Sequence, residues 1–180
     1  LFLDPRNIES KEITLPVPVV DMDRCTLCKK CADFCEYNAI FVGKKVLIYD
    51  DICHSCGGCR LVCPEKAISE VDKVVGTVFV GQSDGLRLAY GELKVGEPVG
   101  IPLIKQVKAE AQSSGVNIID APPGTACPVI ETMEGSDYIL LVTEPTPFGI
   151  HDLSMAIGVV KELGIPHGIV VNRHSEGNNL

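Results

Sequence analysis

The sequence has no tryptophan, few aromatic residues and no excess of positive charge. Aromatic residues make up 5% of the 180 residues, so we expect a core built from aliphatic side chains. The formal net charge is −8, which makes a nucleic acid or an anionic membrane surface a poor partner. No apolar run approaches the about 18 residues of a membrane span, and residues 1–5 do not resemble a signal peptide. These absences predict a cytoplasmic protein without a membrane span.

Cysteine, in contrast, is abundant. Eight of the nine Cys lie between Cys25 and Cys63, and Cys127 stands apart from them. An odd number of Cys packed at gaps of two and three residues is a poor disulfide framework. Without a secretion signal, the pattern favours a metal or cluster site in a reducing compartment.

The eight clustered Cys form an internal repeat. A shift of 28 residues places Cys25, Cys28, Cys31 and Cys35 on Cys53, Cys56, Cys59 and Cys63. Each run reads C-x-x-C-x-x-C-x-x-x-C, the spacing of bacterial ferredoxins that hold two 4Fe–4S clusters. Paired zinc sites, which also use C-x-x-C pairs, and a disulfide scaffold are the alternatives.

A crossed arrangement of ligands follows from this spacing. Two-residue gaps let three thiolates of one run curl around a cluster, whereas the fourth Cys ligates the other cluster. We therefore predict two clusters. The first is held by Cys25, Cys28, Cys31 and Cys63, and the second by Cys53, Cys56, Cys59 and Cys35.

Outside the repeat, the pattern changes along the chain. Residues 1–20 are punctuated by proline and read as an extended lead-in, and residues 40–48 read as a β-hairpin. Further strands are predicted at 74–80 and 86–95, followed by a helix over 102–113. The remainder alternates as an α/β fold, with strands at 116–120, 138–142 and 168–171 and helices at 127–133 and 151–163.

Two short motifs invite a catalytic interpretation. Asp120-Ala-Pro-Pro-Gly124 follows a predicted strand, where an Asp would be placed to hold magnesium and the Gly124 N–H could approach a γ-phosphate. Asp and Pro-Gly are also ordinary turn residues, so a simple turn is the alternative. The G-x-S-x-G match around Ser83 is predicted to be a hairpin turn, because an alternating segment and not a helix follows it.

The order of these motifs resembles a known family. The duplicated Cys run precedes Asp120-Ala-Pro-Pro-Gly-Thr-Ala-Cys-Pro128, Leu141-Val-Thr-Glu-Pro-Thr-Pro-Phe-Gly-Ile-His-Asp152 and Val170-Val-Asn-Arg173. This order is similar to that of MinD/ParA-type deviant P-loop ATPases with an inserted ferredoxin domain. The resemblance implies a partial α/β P-loop NTPase-like parallel sheet with an inserted α+β bacterial ferredoxin-like domain. Residues 21–73 would form the insert, and residues 1–20 and 74–180 would belong to the nucleotide-binding domain.

The resemblance also implies a nucleotide site that uses ATP and Mg²⁺, usually in a homodimer. Asp120 would be the catalytic residue that contacts magnesium, and Gly124 would end the same motif. Thr143 and Pro145 would line the nucleotide site, and Asn172 and Arg173 would contact the adenine. These 180 residues contain no G-x-x-x-x-G-K-S/T loop. We therefore expect an internal part of a longer protein, with ATPase activity belonging to the full-length parent.

Three functions are consistent with the sequence. The first is an iron–sulfur protein whose clusters are coupled to ATP hydrolysis in the full-length parent. The second is a ferredoxin-type electron carrier on an inert α/β scaffold, and the third is a scaffold that delivers clusters. The expected partner is accordingly a redox protein or an apo iron–sulfur target protein.

Overall fold

Two long antiparallel strands frame the cysteine-rich segment. In the computed structural model, which describes residues 3–97 and 100–174, β1 (Arg6–Val20) pairs with β4 (Ile68–Ser83). Val20 lies opposite Ile68, so the chain leaves and re-enters this sheet at adjacent points. The extended lead-in is therefore a strand. It lies at the edge of the sheet, where prolines such as Pro16 and Pro18 are tolerated.

The third strand of this sheet is β5 (Leu86–Leu93), which pairs with β4 as a hairpin. The turn residues Asp84 and Gly85 both have positive φ, 48° and 80°, as two-residue hairpin turns require. Ser83 ends β4 with a buried side chain. The prediction of a hairpin turn is thus confirmed, and the strand–Ser–helix geometry of a hydrolase nucleophile is absent here.

The cysteine-rich segment forms a small α+β layer. It contains α1 (Lys30–Phe34), β2 (Ile40–Val42), β3 (Val46–Ile48), a 3-10 turn (Asp50–Ile52) and α2 (Gly58–Leu61). The predicted hairpin over 40–48 is confirmed as the antiparallel pair β2–β3. Its core consists of Cys31, Ile40, Val42, Cys59 and Ile68. The predicted domain boundary at residue 73 falls inside β4, which continues through it without a break.

The chain divides into two compact units, 1–103 and 104–180. The boundary lies within α3 (Ile101–Ala109), and the second unit continues with α4 (Cys127–Met133), β6 (Ile139–Thr143), α5 (Pro147–Leu163) and β7 (His167–Val171). β6 and β7 are parallel, as the uninterrupted apolar strands predict. One face of β6 packs on the helices, in a core of Val129, Met133, Ile139, Leu141 and Val160.

The helix α5 ends at Gly164 as predicted, but it begins at Pro147 and not at the predicted residue 151, because Thr146 and Pro147 cap its N-terminus. The Thr146 side chain accepts a hydrogen bond from the Gly149 N–H at 3.0 Å, and Pro147 occupies the first helical position. Gly164 ends the helix with a φ of 68°, a conformation that glycine adopts without steric cost.

The prediction of a strand at residues 116–120 is wrong. These residues have no regular secondary structure, and the side chains of Val116 and Ile118 are 90% and 92% exposed. Apolar residues form a strand only with a partner, whereas here the Asn117 side chain closes a local loop by bonding both backbone groups of Gln112. The described parallel sheet therefore has two strands, and it does not by itself support a P-loop NTPase fold.

None of the helices within residues 3–97 and 100–174 is long and apolar enough to cross a membrane.

Candidate metal centre

The first pocket collects four cysteines from both repeats. Its walls include Cys25, Cys28 and Cys31 of the first run together with Cys63, the last Cys of the second run. The pocket is partly open to solvent. These are the four residues that the spacing assigns to the first cluster.

The second pocket repeats this arrangement with the runs exchanged. Cys53, Cys56 and Cys59 of the second run line it together with Cys35 of the first run. The fold thus places the fourth Cys of each run beside the first three of the other run.

The same backbone conformation occurs in both loops. Three pairs of residues separated by 28 positions all have positive φ. They are Leu27 and Ser55 at 55° and 52°, Lys29 and Gly57 at 65° and 72°, and Asn38 and Lys66 at 53° and 50°. Positive φ is uncommon for residues other than glycine, so its repetition at matched positions shows that the two loops are folded alike. The duplicated sequence therefore specifies duplicated geometry.

Backbone N–H groups point at the cysteine sulfurs. The Ala39 N–H donates to Cys35 Sγ at 3.3 Å, and the Ala67 N–H donates to Cys63 Sγ at the same distance. In the second loop, the Ser55 N–H also donates to Cys53 Sγ at 3.4 Å. Donors of this kind stabilise negative charge on sulfur, which is what a thiolate ligand of iron carries.

The third cysteine of each run lies in the core between the loops. Burial raises the pKa of the Cys31 thiol, and it raises the pKa of the Cys59 thiol to about 11. Neighbouring cysteines add to both shifts, Cys28 and Cys25 in the case of Cys31. Two buried thiolates are therefore unfavourable without a cation, and ligation of iron supplies the positive charge that compensates them.

The arrangement suits a cluster better than a single ion. Across the described residues, no three His, Cys, Asp or Glu groups converge closely enough to hold one metal ion. A structural zinc site needs all four sulfurs at about 2.3 Å from one point. Four cysteine thiols line each pocket, and four thiolates are the donor set that a 4Fe–4S cluster takes, so the residues present fit such a cluster.

The two pockets differ in the residues that lie next to the cysteines. At matched positions, the first pocket has Thr26, Leu27, Lys29 and Glu65, whereas the second has His54, Ser55, Gly57 and Tyr37. The rings of Tyr37 and His54 stack with centroids 3.6 Å apart and planes 6° from parallel. The cysteine spacing does not predict this aromatic pair. The signal for Tyr37 is its position, 28 residues before Glu65.

The predicted nucleotide-site residues are brought together only in part. Thr143 ends β6 and Asn172 follows β7, and the Asn172 N–H donates to the Thr143 carbonyl at 2.7 Å. Arg173 forms an ion pair of 3.0 Å with Glu144, which adjoins Pro145. Four of the predicted residues therefore lie around the carboxyl ends of the parallel strands.

Asp120 and Gly124 do not lie at the end of a strand, contrary to the prediction. Neither follows a strand, because residues 116–120 form none, and both residues are exposed. Gly124 has a φ of 99°, which the turn requires. Cys127, which stands apart from the other cysteines in the sequence, is exposed at the start of α4.

Comparison with known proteins supports a 4Fe–4S site in the first unit. The sequence profile of the 4Fe-4S binding domain matches residues 18–41, which include the whole first Cys run. Uncharacterized protein MJ0579 of Methanocaldococcus jannaschii is 30% identical over 168 residues, covering 92% of this chain and 60% of that protein. Uncharacterized protein MJ0578 of the same organism is 34% identical over 158 residues, covering 87% of this chain and 56% of that protein. The chain thus spans somewhat more than half the length of these relatives, and its residues 18–41 are similar to a 4Fe-4S binding domain.

Proposed function

We propose that the chain binds two 4Fe–4S clusters with crossed ligands and transfers electrons between partner proteins. The observation that carries this proposal is the pair of pockets, each lined by three Cys of one run and the fourth Cys of the other. A single functional cluster would not require the second run to repeat the backbone conformations of the first.

Each residue group has a task in this function. The eight thiolates hold the irons, the N–H donors of Ala39 and Ala67 stabilise the sulfur charge, and the core around Cys31 and Cys59 limits access of water. When bound, the clusters would supply one-electron redox chemistry, with an electron coming from an external low-potential donor and passing to an external acceptor. No atom is transferred, so the chain needs only to keep the ligands in place in both redox states.

Reversible reduction distinguishes electron transfer from cluster delivery. Anaerobic protein would be reduced with dithionite, reoxidised and reduced again, with electron paramagnetic resonance and iron content recorded at each stage. An electron carrier takes up about one electron per cluster and keeps its iron through repeated cycles. Loss of iron to an added apo-ferredoxin faster than reduction and reoxidation would favour delivery instead.

The rim of the first pocket offers a docking surface for an acidic partner. Lys29 lines this pocket, Lys30 follows it, and Lys44 and Lys45 form the tip of the β2–β3 hairpin whose Val42 and Val46 also line the pocket. All four Lys are exposed in a chain of net charge −8. Opposite charge accelerates encounter at low ionic strength.

Oxidation by small charged reagents tests this surface. We expect Lys29→Glu together with Lys44→Glu to slow oxidation of the reduced protein by ferricyanide and to speed oxidation by hexaammineruthenium. The exposed Lys161 of α5 provides the control, since Lys161→Glu should change neither rate. Equal changes with both reagents would contradict an electrostatic role for the rim.

A second candidate function is coupling to ATP in the full-length parent. It is supported by the MinD/ParA-like motif order and by the polar residues Thr143 and Asn172 at the carboxyl ends of two parallel strands, where α/β sheets bind ligands. In this proposal Asp120 and Gly124 approach the magnesium and γ-phosphate, Arg173 and Asn172 contact the adenine, and Thr143 and Pro145 line the site of a homodimer.

Mutation of Asp120 in the complete reading frame tests the second candidate. Asp120→Ala should reduce ATP hydrolysis strongly and weaken ATP binding much less, because the carboxylate would act on magnesium in the transition state. Asp137→Ala, at another exposed Asp of the same unit, should leave hydrolysis unchanged. Equal hydrolysis by the wild-type protein and Asp120→Ala would reject this site.

A further inference from the structure

The second pocket contains a buried hydroxyl group with no visible partner. The Oγ atom of Ser55 is inaccessible to solvent, and no hydrogen-bond partner for it exists among the described residues. Ser55 lines the second pocket, and its own N–H already donates to Cys53 Sγ at 3.4 Å. An unpaired buried hydroxyl is unfavourable because its lost hydrogen bonds to water are not replaced, so a partner for its proton is expected at this place.

The first pocket has no corresponding group. The matched residue is Leu27, whose φ of 55° is close to the 52° of Ser55. Leu27 packs against the core cluster that includes Cys31 and contributes an apolar side chain to the pocket wall. The backbones are therefore equivalent, and a hydroxyl in one pocket replaces an isobutyl group in the other.

We propose that the Ser55 hydroxyl donates a hydrogen bond to a sulfur of the cluster in the second pocket and raises the reduction potential of that cluster. The proposal rests on the proposed function, since it needs a cluster bound by Cys35, Cys53, Cys56 and Cys59. Reduction adds negative charge to the cluster, and a donor stabilises the reduced state more than the oxidised state. Ser55 thus acts as a tuning residue for electron transfer and supplies no ligand.

The Glu70 carboxylate near the second pocket would lower the reduction potential of the cluster, but Arg60 neutralises its charge. Glu70 lines the second pocket at the position matched by Val42 in the first, and a carboxylate there would disfavour reduction. Arg60 forms a 2.8 Å ion pair with this carboxylate, which leaves little net charge. The effect of Ser55 is therefore best measured as a difference between variants of the same pocket.

Potentiometric titration followed by electron paramagnetic resonance tests the proposal. Ser55→Ala should lower the potential of the second cluster by about 59 mV, a tenfold change in a one-electron equilibrium, and leave the first cluster unchanged. Ser55→Thr should keep the wild-type value because it retains the hydroxyl. The Cys35→Ala variant identifies the signal that belongs to the second pocket.

The possible outcomes separate the tuning role from cluster binding. If iron analysis shows no cluster in the second pocket of the wild-type protein, the proposed function itself fails. If the cluster is present and Ser55→Ala has the wild-type potential, the tuning role is overturned. If Ser55→Ala loses the cluster, Leu27→Ser decides: a rise in the potential of the first cluster supports the role of a hydroxyl here, and no rise contradicts it.

Discussion

The two cysteine pockets have the same framework and different linings. Both collect three thiols from one run and one from the other, and in both the last Cys receives an N–H bond of 3.3 Å. Between the cysteines, however, the first pocket carries Lys29 and Glu65 where the second carries Gly57 and Tyr37.

This comparison distinguishes the residues that the duplication repeats from those that differ between the two copies. The repeated residues are the cysteines proposed to hold the irons and the residues that shape the loops, whereas the residues that differ alter charge and polarity. Reduction potentials respond to such surroundings as well as to the ligands. Two pockets with the same set of ligands are therefore expected to hold clusters with different reduction potentials and different stability in air.

Removal of the fourth ligand should have the largest effect. Cys63→Ala is expected to destroy the cluster of the first pocket, although Cys63 belongs to the second run, and Cys35→Ala should destroy the other. Iron content should fall by about half in each variant, because one of two four-iron clusters is lost. The contrary result would be loss of the Cys25–Cys31 cluster on replacing Cys35, detected by spectroscopy of the remaining signal.

Removal of the charge at Lys73 should lower the free energy of unfolding. Its ammonium contacts Glu97 at 2.7 Å and Asp50 at 3.2 Å, just before the second Cys run. The Glu97 side chain is only 10% exposed, so Lys73→Met leaves a mostly buried carboxylate unpaired and should cost about 1–3 kcal/mol in unfolding free energy. Lys45→Met is the matched control, since Lys45 occupies the equivalent position in the first repeat and is exposed.

The pH dependence of this effect follows from the hydrogen bond to Glu97. That bond is the main reason why the pKa of Lys73 is raised above its ordinary value. Its stabilisation is fully present below the pKa of about 10.4 of an unfolded lysine and is lost as the pH rises through the folded value. Denaturation at about pH 7 and about pH 9 should therefore give the same difference between wild type and Lys73→Met, and a difference that shrinks by pH 9 would contradict this origin.

Exchange of the residues that precede the two short helices should have opposite effects. Lys29 and Gly57 both adopt a left-handed conformation, with φ of 65° and 72°. This conformation costs a non-glycine residue about 1–2 kcal/mol, so Gly57→Ala should lower the free energy of unfolding by about that amount. Lys29→Gly should raise it by less than about 1 kcal/mol, because glycine also gains freedom in the unfolded state. Denaturant midpoints measured under nitrogen would show shifts of opposite sign, and shifts of the same sign would mean that the loops are not equivalent.

Loss of the aromatic pair should give the smallest change. Tyr37 stacks on His54 at the second pocket, an interaction worth about 0.5–1.5 kcal/mol. Tyr37→Ala should make the second cluster bleach faster in air, with the first cluster unaffected. Tyr49→Ala removes a similarly exposed tyrosine that lines neither pocket and should have no such effect. Equal bleaching of both clusters in Tyr37→Ala would argue against a local shield.

The sequence predicts the cysteine framework well because the information is local and repeated. Gaps of two residues fix how each loop folds, and the duplication indicates where the fourth Cys must go. The linings depend on residues that meet only in three dimensions. Nothing in the spacing reveals that the Ser55 hydroxyl is buried or that Tyr37 lies on His54.

In the α/β part of the chain, the sequence predicts the fold less completely. Apolar runs correctly predict β6 and β7, which pair with each other. The same kind of run over residues 116–120 predicts a strand that does not form, because apolar character does not reveal whether a partner strand is available. The position of Asp120 depends on that strand, and so its proposed contact with magnesium remains a prediction.

Determination of iron and acid-labile sulfide in anaerobically purified wild-type protein tests the central claim most directly. Two complete pockets predict about eight irons and about eight sulfides per chain. About four of each would show that only one pocket holds a cluster, and zinc at two or fewer per chain without iron would contradict the account altogether.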